Sequence, residues 1–249
     1  MSPPDERRIV AFGGGGFVST PDSPLNAYVL GLARRARPRV CFVPTAGGDS
    51  LAYVAAFYRA CAGLDCRPSD LPLFSRTGED VRSKLLEQDV IWVGGGNTAN
   101  LLAVWRVHGV DVAMREAWES GVVLAGSSAG MICWFEASIT DSFGPQLDPL
   151  HDGLGFLPGS ACPHYDGEDR RRPVYRAAVA AGFPAGYAAD DQVAIRFDGD
   201  RLAECVTVRE GASAWRVERE GDEVVERALP TRLLEGGGAT PGAPSPADC

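Results

Sequence analysis

Residues 121–135 read GVVLAGSSAGMICWF, and the order of residue types along this stretch decides the fold. GVVLA (121–125) is a short, continuous apolar run, the pattern of a strand buried on both faces. It stops at Gly126-Ser127-Ser128-Ala129-Gly130, and a helix is expected over MICWF (131–135). A serine between small residues at a strand-to-helix turn is the context of a G-x-S-x-G nucleophile elbow. The turn must be tight, so small residues flank the serine, and its hydroxyl is held above the sheet edge. The N–H of Ala129, at the helix start, is then available to a developing oxyanion. Ser127 is the weaker candidate, because position 125 is alanine where the motif wants glycine.

The same pattern repeats outward from this turn. RIVAF (8–12), RVCFV (39–43) and DVIWV (89–93) are further buried strands, ended by Gly13–Gly16, Pro44 and Gly94–Gly96. Helical spacing covers 24–36, 50–62, 79–87, 97–107 and 109–119, with Leu51, Val54, Ala55 and Tyr58 sharing one face of the second helix. Strands alternating with helices predict an α/β fold with a mostly parallel sheet flanked by helices. Ligands of such sheets sit at the carboxyl ends of the strands. The glycine clusters at 13–16, 94–96 and 126–130 all fall there, on one edge. From 186 onward the runs 192–197, 202–209, 213–218 and 223–228 read as short strands, expected to form an antiparallel C-terminal extension of the same sheet. Residues 1–234 are therefore expected to form a single domain. The Gly/Pro/Ala-rich tail 235–249 is expected to be disordered.

A serine nucleophile needs a base, and the chain has three histidines, His108, His151 and His164. His108 reads as the exposed end of a helix. His151 lies in a turn-rich stretch. His164 follows Cys162-Pro163, and proline biases the residue before it to an extended conformation, so His164 falls at a strand end or loop start. That placement favours His164, with His151 as the alternative. Asp190-Asp191, between AGYAA (185–189) and QVAIRF (192–197), puts a carboxylate at the same edge, where it could orient the base. The order Ser, His, Asp differs from the Ser, Asp, His order of α/β-hydrolases.

Taken together, VGGGNTANLL (93–102), AGSSAGM (125–131), CPHYDGE (162–168) and YAADDQVAI (187–195) resemble the dipeptidase E, or aspartyl dipeptidase, family of serine peptidases, to which cyanophycinase is a more distant relative. The resemblance spans roughly residues 8–210. It implies a class I glutamine amidotransferase-like fold with Ser128 as nucleophile, His164 as base and Asp191 as acid, where relatives often carry Glu; Asp190 is the alternative acid. It also implies that Gly95 or Gly96 joins Ala129 in an oxyanion hole, that Asn97 contributes to substrate binding, and that no metal or organic cofactor takes part. Members specific for N-terminal aspartate bind it with an arginine downstream of the histidine. Here Arg170, Arg171 and Arg172 stand there, suited either to carboxylate recognition or to a solvated helix start.

Composition narrows the partners. Hydrophobic residues make up 45% and charged residues 23% of 249, as in an ordinary globular chain, and the net charge of -9 argues against a general nucleic-acid binder. Seven cysteines without a CxxC pair suggest reduced thiols in a cytoplasmic protein rather than a zinc site. No apolar run long enough for a membrane span occurs. The expected partner is a short peptide, met by a monomer or homodimer. The reading at this point is a serine peptidase of short peptides, with N-terminal-Asp dipeptidase action open to it, and with a cyanophycinase-like or carboxypeptidase-like hydrolase, or a non-catalytic binding module, as alternatives.

Overall fold

The computed structural model describes residues 7–75, 78 and 80–235. Five strands, β1 (Arg8–Phe12), β2 (Arg39–Val43), β3 (Arg67–Asp70), β4 (Val90–Val93) and β5 (Val123–Ser127), lie parallel in the order β1-β5-β4-β2-β3. They are continuous apolar runs because both faces are covered. Val10, Phe12, Val40, Phe42, Val90 and Trp92 point into one core layer, beneath helices α1 (Pro24–Gly31) and α2 (Leu51–Cys61). The intervening Ile9, Ala11, Cys41, Val43, Ile91 and Val93 point into the other, beneath α3 (Val81–Leu86), α4 (Thr98–His108) and α5 (Val110–Glu119).

β3 escapes sequence reading because Arg67-Pro68-Ser69-Asp70 is no apolar run; it is an edge strand held by its backbone pairing to β2, a place that tolerates proline. The buried face of α2 also differs from expectation. Phe57, Ala60 and Cys61 are inside, whereas Leu51 is 83% exposed. The helix α6 after the serine turn is a single turn, Ala129–Ile132, and not MICWF, because Phe135 already begins a strand.

That strand, β6 (Phe135–Thr140), opens a second layer with β7 (Asp148–Leu150) and β8 (Leu157–Cys162), followed by α7 (Arg171–Ala180) and β9 (Gly186–Ala189). The late strands β10 (Val193–Asp198), β11 (Arg201–Thr207), β12 (Ala214–Glu220), β13 (Glu223–Leu229) and β14 (Thr231–Leu233) divide between two sheets. β10 pairs antiparallel with β1 and β11 with β10, so the expected extension of the first sheet holds for these two. It does not hold for 213–218 and 223–228. β12 pairs with β9 and β13 with β12, giving a six-stranded sheet β13-β12-β9-β8-β6-β7. The reason is burial: Val217 and Trp215 pack with Tyr165, Tyr175 and Val179 between this sheet and α7. The molecule is thus a mixed α/β fold of two sheets flanked by helices. The tail expected to be disordered lies, from residue 236 on, outside the described residues.

Candidate active site

β5 ends against two close backbone approaches. A Cβ at Gly126 would stand 2.5 Å from Gly130 O, and one at Gly130 would stand 2.2 Å from Val93 O, so neither position has room for a side chain. The chain between them turns at Ser128, with φ 56° and ψ -109°. A non-glycine residue in that region is strained and persists only where its surroundings fix it. Here Ser128 N donates to Phe12 O at 3.1 Å, and Ser128 O accepts from Met131 N at 2.9 Å and Ile132 N at 3.0 Å. The hydroxyl is left facing a cavity of about 220 Å³ whose lining includes Val18, Tyr53, Trp92, Gly95 and His164. A larger cleft of about 810 Å³, between α1 and the segment 232–235, holds none of the candidate catalytic groups.

Backbone amides around Ser128 are uncommitted. Gly94 N donates to Val43 O and Asn97 N to Ala46 O, but among the described residues the N–H groups of Gly95, Gly96 and Ala129 have no acceptor. Gly95 lies against the serine, since a Cβ there would be 3.4 Å from Ser128 Cβ. Free amides beside a hydroxyl are the donors that a negatively charged oxygen requires. Asn97 is occupied otherwise: its Oδ1 caps α4 by accepting from Asn100 N at 2.9 Å, and its Nδ2 donates to Ser142 O at 2.9 Å.

His164 stands just past β8 with φ 52°, and its N–H donates to Gly13 O at 3.2 Å. Its Nδ1 lies 2.6 Å from Asp191 Oδ1. No hydrogen bond joins the imidazole to Ser128 among the described residues, although both line the cavity. The Asp191 carboxylate occupies a slot between two glycines. A Cβ at Gly14 would be 2.0 Å from its Oδ1, and one at Gly167 2.2 Å from its Oδ2. The Asp191 backbone is clamped as well: Asp191 N donates to Asp166 Oδ1 at 2.8 Å, and Asp191 O accepts from Arg209 Nε at 3.3 Å. Asp166 and Arg209 pair with each other. The hydrogen bond to His164 holds the Asp191 carboxyl below its usual range, against the opposing effect of burial.

Asp190 turns the other way. Its Oδ2 accepts from Ser213 N at 2.9 Å and its Oδ1 from Trp215 Nε1 at 3.1 Å, and burial pushes its carboxyl up. His151 packs edge-on against Phe183 and does not line the cavity. The three arginines do not line it either. Arg170 donates to Pro145 O at 2.7 Å; Arg171 is buried, donating to Glu168 Oε2 at 2.7 Å and Ile139 O at 3.1 Å. Arg172 lies over Trp215 and pairs with Glu226. Sequence reasoning missed Asp166, Arg209, Tyr53 and Trp215. Asp166 stood inside a quoted motif, but nothing local marks Arg209 or Trp215, whose partners are 18 to 43 residues away. Among the described residues no group of three or more His, Cys, Asp or Glu side chains is gathered as for a metal ion.

The peptidase family S51 model matches residues 9–205. The chain belongs to peptidase family S51. It is 51% identical over 230 residues to the uncharacterized peptidase YgaJ of Bacillus subtilis (strain 168), spanning 92% of this chain and 99% of that protein. It is 32% identical over 130 residues to peptidase E of Streptomyces coelicolor, covering 51% of each. Two solved structures share its fold. A putative peptidase E protein from Listeria monocytogenes EGD-e aligns with a TM-score of 0.57 at 20% identity, over 90% of this chain and 99% of that one. A peptidase from an acI-B1 Actinobacterium aligns with a TM-score of 0.63 at 15% identity, over 89% and 96%. The matched region includes the β5 turn and ends at Cys205, which leaves Arg209, β12 and β13 beyond it.

Proposed function

We propose that this S51 peptidase is a cytoplasmic serine hydrolase of short peptides, on a class I glutamine amidotransferase-like fold, with Ser128, His164 and Asp191 as its triad. The observation that carries the reading is the 2.6 Å contact between Asp191 Oδ1 and His164 Nδ1, at a cavity shared with the strained Ser128. Asp191, ionised, fixes the tautomer that bears hydrogen on Nδ1 and leaves Nε2 free to accept. Ser128 Oγ attacks the scissile carbonyl carbon as its proton passes to His164 Nε2. The oxyanion is held by the N–H groups of Ala129 and of Gly95 or Gly96. The C–N bond then breaks, and Nε2 returns the proton to the leaving amine. Water, deprotonated by the same nitrogen, attacks the acyl carbon; the C–Oγ bond breaks, Nε2 returns the proton to Ser128 Oγ, and the acid is released. The apo separation of hydroxyl and imidazole accords with catalytic hydrogen bonds that tighten only when substrate is bound.

The test is labelling by a fluorophosphonate together with dipeptide hydrolysis. Ser128→Ala should lose labelling and lose activity by about 10⁴-fold or more, while Ser127→Ala keeps both. Labelling that persists in Ser128→Ala would place the nucleophile elsewhere.

A further inference from the structure

The glycine loop Gly94–Asn97 is held from two sides. On one side is the turn after β2. Gly94 N donates to Val43 O at 3.3 Å and Asn97 N to Ala46 O at 2.8 Å, and a Cβ at Gly96 would stand 2.1 Å from Ala46 O. On the other side is the loop 141–147, which joins β6 to β7. Ser142 makes the contact there. Its Oγ accepts from Thr98 N at 3.0 Å and Ala99 N at 3.2 Å, and its backbone O accepts from Asn97 Nδ2 at 2.9 Å.

The first amides of a helix have no acceptor within the helix itself. In α4, Asn97 Oδ1 takes Asn100 N, and the Ser142 hydroxyl takes Thr98 N and Ala99 N. Both lone pairs of that hydroxyl are thereby used. Its hydrogen is left for Thr140 Oγ1, 2.7 Å away, which also accepts from Ser142 N at 3.2 Å. Thr140 is buried at the end of β6, so the hydroxyl is aimed from a fixed base. The loop is tied to α7 as well. Arg170 donates to Pro145 O at 2.7 Å, and Arg171 donates to Ile139 O at 3.1 Å and pairs with Asp141 at 3.8 Å. One short loop therefore joins the start of α7, which follows His164, to the start of α4, which follows Gly95 and Gly96.

We propose that Ser142 is a positioning residue for hydrolysis: it fixes the Gly95 and Gly96 amides beside Ser128 by holding Asn97 and the first turn of α4, and Arg170 keeps its loop in place rather than binding substrate. The inference rests on the catalytic reading above, in which those amides receive the oxyanion. A displaced oxyanion donor costs rate at the transition state and leaves ground-state binding alone.

The experiment compares full-length wild type, Ser142→Ala, Ser142→Thr and Arg170→Ala. It reads the rate of fluorophosphonate labelling, and kcat and KM for Ala-Leu and Asp-Leu; the labelling rate decides where neither dipeptide is cleaved. Ser142→Ala is expected to slow labelling and lower kcat by about 10–100-fold, with KM and the acid limb of the pH-rate profile unmoved. Ser142→Thr, which keeps the hydroxyl, should return to within about threefold of wild type, and Arg170→Ala should lose about fivefold on both dipeptides alike. Wild-type rates in folded Ser142→Ala overturn the proposal, whatever its melting temperature. A shifted acid limb overturns it too, because Ser142 would then act through His164. Should Ser142→Ala not fold, the exposed change Arg170→Ala decides, and unchanged rates there overturn the proposal. A rise in KM confined to Asp-Leu in Arg170→Ala overturns the role given to Arg170. Wild type that takes no label overturns the catalytic reading itself.

Discussion

The carboxylate of Asp190 is 5% exposed and accepts from Ser213 N and Trp215 Nε1, while that of the next residue accepts from His164 Nδ1 in a slot between Gly14 and Gly167. The two variants should therefore fail differently. Asp191→Asn is expected to fold normally and lose about 10³–10⁴-fold in kcat, since the amide no longer holds the required tautomer. Asp190→Ala leaves two donors unpaired and should cost about 2 kcal/mol in urea unfolding, with a smaller effect on kcat. The pH dependence has opposite signs. Asp191 has a lowered folded pKa, so its contribution to stability is present above the unfolded value near ~4 and fades as pH falls through the folded one; Asp190, raised by burial, loses favour as pH rises through its own window. Urea midpoints of wild type and Asp191→Asn should accordingly converge below about pH 4. Sequence alone left the choice between the two carboxylates open, because neighbouring residues differ only in which side they face. What decides it is the bridge of Asp191 to Gly14, 177 residues away.

At the scale of elements, the turn from β5 into α6 works because two glycines let Val93 and Gly130 backbones touch. Gly130→Ala has no space for its methyl group and is expected to lower stability by about 3 kcal/mol, as read by thermal melting. The Asp166–Arg209 pair beyond β11 holds the backbone of Asp191. Arg209→Ala should lower kcat by about 10–100-fold at unchanged KM, shift the acid limb of the pH-rate profile, and be partly rescued by Arg209→Lys. An altered melting temperature with an unmoved pH profile would make Arg209 merely structural. The parallel strands and the serine turn were legible because apolar runs and glycines mark them directly. β6, β7 and β8 were not: FEASIT, DPL and LPGSAC mix polar and apolar residues, and their burial comes from a layer assembled by distant segments.

Across the whole molecule, the second sheet braces the site from behind. Trp215 on β12 holds Asp190, and Glu226 on β13 binds Tyr165, the residue after His164. The same tight packing encloses the thiols. The six described cysteines are buried, and burial raises Cys133 well above the usual thiol range and brings Cys162 and Cys205 to about 12. Iodoacetamide at neutral pH is expected to spare these three in the native protein and to modify them at the rate of unfolding, read by mass spectrometry. β1 sits between β5 and β10, partners that both lie far downstream of it in the chain. This has a consequence during synthesis. The ribosome delivers Ser128 with the parallel half of the first sheet, but β1 stays open on one flank until Val193–Asp198 has emerged, and Asp191 docks on Gly14 with that same strand. A chain that ends before Asp191 therefore carries Ser128 and His164 without the carboxylate that holds His164 Nδ1.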